Sequence, residues 1–205
     1  MIIIRNASIA DLDDVTKLHM IVFPDFFLTL MGAGFLRELY LGFINISNGI
    51  FFVAVDDDKV VGFIAGTNSP SVFFSEMRRK RGVFFLLNAV PAFIRHPVIV
   101  IKKLYLAFSY RGDKPLTLES SVLLSSLGVS LEVMGKGIGA QLLQRFELDA
   151  ISRGAKFIYL TTDAVGNDSV KAFYSKCGYS VESTFLQQTN RPMIKYIKEL
   201  CLESY

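Results

Sequence analysis

The segment Val129-Ser-Leu-Glu-Val-Met-Gly-Lys-Gly-Ile-Gly139 constrains this chain more than any other, because it sets three glycines where an apolar strand gives way to an amphipathic helix. The stretch before it, Leu116 to Val129, is rich in Leu, Val and Ser and holds no Gly or Pro until Gly128, as a buried strand would. After it, Ile138, Leu142, Leu143, Phe146 and Ala150 mark one helical face, with Gln144, Arg145, Glu147 and Asp149 between them. The first amides of a helix have no partner within it, and the helix dipole adds positive potential there. With no Cβ at Gly135, Gly137 and Gly139, those amides can approach an anion closely, so the junction is suited to phosphate.

A tight turn could carry the same glycines, and the residues C-terminal to them narrow the choice. Beyond Arg153-Gly154 comes a strand, Phe157-Ile-Tyr-Leu-Thr-Thr162, then a loop from Asp163 to Asn167, then Asp168-Ser-Val-Lys-Ala-Phe-Tyr-Ser-Lys-Cys-Gly-Tyr179. Here the chain resembles the GCN5-related N-acetyltransferase (GNAT) family. The motif of that family runs Val-x-x-x-x-(Arg or Gln)-Gly-x-Gly-x-(Gly or Ala), followed about thirty residues later by Asn, then Ala-x-x-Phe-Tyr and Gly-(Phe or Tyr). The matching positions are Val129, Gly135, Gly137, Gly139, Asn167, Phe173, Tyr174, Gly178 and Tyr179, and the match is strongest from about 117 to 180. A looser match covers the start of the chain, from Ile4 to Asp13. Met134 departs from the pattern, standing where the family carries Arg or Gln.

The resemblance implies an α/β (α+β) fold: a mixed, mostly antiparallel central sheet flanked by helices, as a single domain over 1–205. It also implies transfer of an acetyl group from acetyl-CoA, as co-substrate, directly to a primary amine. The backbone around Met134, Gly135, Lys136, Gly137, Ile138, Gly139 and Ala140 would grip the diphosphate, with the Lys136 side chain as a charge aid. Backbone near Val129 would polarise the acyl carbonyl where the fourth strand bulges and parts from the fifth. Ser125, Ser126 and Gly128 would let a ligand approach the backbone there. Tyr174 would donate a proton to the departing sulfur, and a phenol of pKa about 10 carries that proton at neutral pH. Asn167 either binds the cofactor or caps the helix that follows it.

No general base stands out. Glu119 is the carboxylate of the fourth strand, but ten residues at about 3.3 Å each put it roughly 30 Å from Val129. Asp25 and Asp163 are better placed and match no motif. Two rival functions remain. The run Gly135-x-Gly137-x-x-Ala140 also fits a dinucleotide-binding fingerprint, which needs repeated strand and helix units after it. A non-catalytic module that binds coenzyme A or a partner is the other.

The rest of the chain supplies a frame. Ile2-Ile-Ile4 reads as a strand, Ser8 with Asp11 as a helix cap, and Ile9, Leu12, Val15, Leu18, His19 and Val22 as one helical face on which His19 is packed. A helix is expected over about 34–46 after a loop from Phe23 to Thr29. Strands Ile50 to Val55 and Lys59 to Gly66 join through Asp56-Asp-Asp58, and Tyr179 to Gln187 and Pro192 to Cys201 close the sheet. Two cysteines, Cys177 and Cys201, make no disulfide framework and no metal site, so a reducing, cytoplasmic setting is expected.

Between the third and fourth strands lies an insertion, about 70–114, read as two apolar helices, one around Phe84 to Ile94 and one from Pro97 to Phe108. Residues 71–114 hold nine cationic side chains against Glu76 and Asp113, a net charge of +7, so the remainder carries −4. Such a hairpin could form a lid, dock a partner or a second copy of the chain, or rest on the inner face of an anionic membrane. Its aromatic residues keep helical spacing and do not form a base-stacking platform, so no nucleic-acid partner is expected. Phe23, Phe26, Phe27 and Leu28 suggest a hydrophobic or lipid-linked acceptor, with small amines and protein N-termini left open.

Overall fold

In the computed structural model, residues 1–98, 100–101, 120–187 and 191–200 are described. The corner between β1 (Ile3–Asn6) and α1 (Leu12–Val22) follows from the expected cap. The Ser8 N–H donates to the Asp11 carboxylate at 2.7 Å, and Arg5 donates to both oxygens of the same group at 2.7 and 2.8 Å. That pair holds the Asp11 carboxyl down to a pKa of about 2, first through the Arg5 hydrogen bond. A short helix, α2 (Phe27–Met31), occupies the end of the expected loop, and α3 runs Ala33–Asn45.

β2 (Gly49–Asp56) and β3 (Lys59–Thr67) are nearly continuous runs of buried residues, as strands covered on both faces should be. They meet in a two-residue turn in which Asp57 and Asp58 both take positive φ, 44° and 65°. That backbone twist matches the strands it joins, and Asp tolerates it better than bulkier residues.

α4 (Pro70–Arg95) is one helix of 26 residues, which corrects the expected start near Phe84. Pro70 sits in its first turn, where the missing N–H costs nothing, and Phe73 and Met77 bury the first half against α3. Pro91 lies inside the helix on its exposed side. Residues 97–98 and 100–101 are helical again, and the remainder of the expected second helix lies outside the described residues, as does the expected strand segment 116–119.

β4 (Ser121–Val129), α5 (Ile138–Ser152), β5 (Phe157–Asp163), α6 (Asp168–Lys176), β6 (Ser180–Leu186) and β7 (Pro192–Glu199) complete the chain. The seven strands run in the order β1-β2-β3-β4-β5-β7-β6, antiparallel throughout except for the parallel pair β4–β5. One core packs α1, α3 and α4 on one face of the sheet, around Leu36, Tyr40 and Phe63. The other packs α5 and α6 on the opposite face, around Leu142, Phe146 and Tyr174. The strand-helix repetition that a dinucleotide fingerprint needs does not come after the glycine turn: β6 and β7 are antiparallel.

Candidate active site

Two backbone irregularities define the site. The first is the turn into α5. Gly135 and Gly137 take φ of +80° and +81°, a conformation that costs other L-residues about 1–2 kcal/mol each, and this is why glycine stands at both places. Val133 and Ile138 are buried and pin the turn to the core, while Met134 to Gly137 face solvent. The Met134 and Lys136 N–H groups bond back to Leu131 and Val133, each at 3.3 Å, so those two amides are committed within the turn. The N–H groups of Gly135, Gly137, Ile138, Gly139 and Ala140 have no partner among the described residues, and the first bond of the helix runs from Gln141 N–H to the Gly137 carbonyl. Five amides left open at and just before one helix start are available as donors to an anion. The side chain of Met134 is 59 % exposed and that of Lys136 is also on the surface.

The second irregularity is in β4. β4 pairs with β5 only from Ser121 to Leu123, opposite Phe157 to Tyr159, so its β5-facing edge is unpaired by β5 from Leu124 to Val129. The register with β3 shifts at Ala65/Gly66, which leaves Ser125 as an extra residue at the closed end of this split. The bulge thus falls four residues before Val129, earlier than expected. β5 continues to Asp163 against β7, so the two strands diverge into a cleft whose mouth lies beside the turn into α5.

Tyr174 lies on α6 among Phe173, Tyr179 and Tyr196, with ring centroids 5.1 to 5.8 Å away. Burial, with a smaller contribution from Cys177, pushes its phenol well above the usual value, so it stays protonated. Cys177, the other half of that pair, is a packed residue at the end of α6 whose thiol is raised by burial; Cys201 lies outside the described residues. Asn167 stands at the N-cap of α6, yet its side chain makes no cap bond. It donates to Thr162 Oγ1 at 2.7 Å and to the Asp163 carbonyl at 3.4 Å, which ties the loop across the end of β5. A groove of about 320 Å³ starts at Ala140 and follows α5 to Glu147, closed by Cys177 and Lys198.

The loop between α1 and α2 meets Arg191, the residue just before β7. Arg191 grips Asp163 through two hydrogen bonds and lies 4.9 Å from the ring centre of Phe26. Asp163 is therefore engaged by a cation and is not a free base; Asp25 is exposed nearby, and Glu119 is outside the described residues. His19 is packed as expected, 2 % exposed, with Nδ1 at 2.6 Å from the Tyr40 hydroxyl and Nε2 without a partner. Burial pushes its pKa down to about 4, so the imidazole is neutral at pH 7. The Ser126 hydroxyl, beside the bulge, hydrogen-bonds Tyr40 and partly offsets the burial that raises that phenol. Arg191 and the Ser126–Tyr40–His19 line were not legible in the sequence, which offered no local signal for either.

A sheet split between two parallel strands, with open amides at the following helix, is an arrangement built to hold an extended ligand by its anionic end. The family profile described as "Acetyltransferase (GNAT) domain" matches residues 47–181, and the chain belongs to the GNAT acetyltransferase family. No curated protein matches the sequence. Among solved structures, an aminoglycoside 6′-N-acetyltransferase complexed with coenzyme A aligns at 18% identity and TM-score 0.63, over 99% of each chain. A ribosomal-protein-alanine N-acetyltransferase from Brucella melitensis aligns at 18% identity and TM-score 0.63, over 97% of this chain and 99% of the other. The PaiA N-acetyltransferase from Thermoplasma acidophilum, in complex with coenzyme A, aligns at 16% identity and TM-score 0.56, over 95% and 98%. At these identities the structures share the fold.

Proposed function

We propose that the protein, as a single domain with a helical insertion, transfers an acetyl group from acetyl-CoA directly to a primary amine. The observation that carries the reading is the set of open amides at Gly135, Gly137, Ile138, Gly139 and Ala140, beside the split of β4 from β5. Those amides would hold the diphosphate, with Lys136 adding charge from the surface. The acyl arm would then lie along the unpaired edge of β4, where N–H groups between Leu124 and Val129 can polarise the thioester carbonyl. The amine nitrogen attacks the carbonyl carbon, the carbon–sulfur bond breaks, and the Tyr174 hydroxyl gives its proton to the departing thiolate. The surplus proton of the amine leaves to water, and the Tyr174 oxygen takes a proton back from water, so the phenol is restored and no net proton is gained or lost. Coenzyme A-bound relatives of the same fold support the choice of donor.

The acceptor would enter from the face bearing Phe23, Phe26 and Phe27, which supports a hydrophobic or lipid-linked amine. One observation favours a second reading, a module that binds coenzyme A without turnover: the carboxylate at the end of β5 is held by Arg191. A screen of acetyl-CoA against amino sugars, polyamines, aminoglycosides and peptide N-termini, reading thiol release, separates the two. Turnover on any class supports the transferase. Heat of coenzyme A binding with no turnover throughout leaves the binding module, and no heat at all removes both.

A further inference from the structure

α4 presents two unlike faces. The Phe85 ring packs tilted against Phe35 of α3 with centroids 4.7 Å apart, Arg81 pairs with Glu38 of α3, and Ala89 and Ala92 complete the buried stripe. The opposite side carries Val83, Leu87, Val90 and Ile94 at four-, three- and four-residue spacing, 47 to 74 % exposed. Nine of the 21 exposed large apolar side chains among the described residues fall between Val83 and Ile101, whereas the others are scattered along the chain. A contiguous face of this kind marks a contact surface.

Its surroundings identify what it contacts. Arg79 lies one turn before Val83 on the same side, with Lys80 beside it paired to Glu76, and Arg95 and His96 are exposed at its other end. From Met77 to Ile101 the sequence contains no Asp or Glu. A two-fold contact with a second copy would set this cationic face against itself, at a repulsive cost. No described helix is long and apolar enough to cross a membrane. An apolar stripe edged by long cationic side chains, which can reach up to headgroups while their stems stay in the acyl boundary, instead suits a helix lying in the plane of a bilayer.

We infer that the exposed face of α4 docks the protein on an anionic lipid surface. The inference stands on this face alone and is independent of the acyl-transfer reading. α4 also packs against α2, the helix that follows the Phe26 loop.

The test is co-sedimentation of the full chain with vesicles of phosphatidylcholine alone or mixed with phosphatidylglycerol, with sedimentation velocity run in parallel. The protein should bind the mixed vesicles, release as salt is raised, and ignore the neutral ones. Leu87→Glu with Ile94→Glu should abolish binding without lowering the melting temperature, since both side chains are exposed. Arg79→Glu with Arg95→Glu should weaken it at least about tenfold, each basic group near such a surface being worth roughly fivefold. No binding to mixed vesicles, equal binding to both kinds, or unchanged binding by either double variant would overturn the inference. So would a dimer that the Leu87→Glu, Ile94→Glu variant dissociates in a protein that ignores lipid.

Discussion

Replacing Gly137 by Ala separates a backbone conformation from its function. At φ +81° an alanine costs about 1–2 kcal/mol, and no atom lies within 4 Å of the added Cβ, so no repacking cost is added. For a chain of this length, 1 kcal/mol lowers the melting temperature by roughly 2–4 °C. Gly154, at the other end of α5, has φ +77° and equally open space, so Gly154→Ala should lose a similar amount. The two variants diverge in coenzyme A binding. Gly137 carries one of the open amides and precedes the other three of the helix start, and any relief of the strain turns those amides away. Calorimetry should show Gly137→Ala losing more than tenfold in affinity, about 1.4 kcal/mol, while Gly154→Ala binds as the parent does. Equal affinities for both variants, with equal loss of melting temperature, would mean that the turn does not hold the diphosphate.

Tyr174→Phe should reduce kcat by about a hundredfold or more while leaving acetyl-CoA affinity within about twofold; an unchanged kcat removes the phenol from proton transfer. Asp11 contributes stability through its lowered pKa, present above the unfolded value of 3.8 and lost as pH falls toward about 2. The difference corresponds to about 2 kcal/mol, so Asp11→Asn should melt about 5 °C lower at neutral pH and lose less on acidification than the parent, measured between pH 5 and 2. A parallel acid limb in parent and variant would assign the acid sensitivity elsewhere.

Much of the frame was legible because its signals are local. Ser8 and Asp11 announce a cap, Asp57-Asp58 a hairpin, and Gly135 and Gly137 a turn that only glycine takes at no steric cost. Each of these is decided by a few neighbouring dihedrals and hydrogen bonds. The insertion is poorly legible for the converse reason. Between Ser71 and Gly82 the polar residues conceal a helix whose existence depends on Phe73 and Met77 meeting α3, a contact that no local pattern encodes.

Sequence alone therefore determined the glycine turn, the strand before it, the helix after it and the Tyr174 motif on α6, since covalent neighbours set them. Tertiary structure decided which amides stay open, where β4 leaves β5, and which carboxylate is taken out of play. Asp163 meets Arg191, and Ser126 meets Tyr40 and His19, only once the sheet has brought distant segments together. Such contacts depend on the packing of the whole chain, so residues far apart in sequence carry no mark of them.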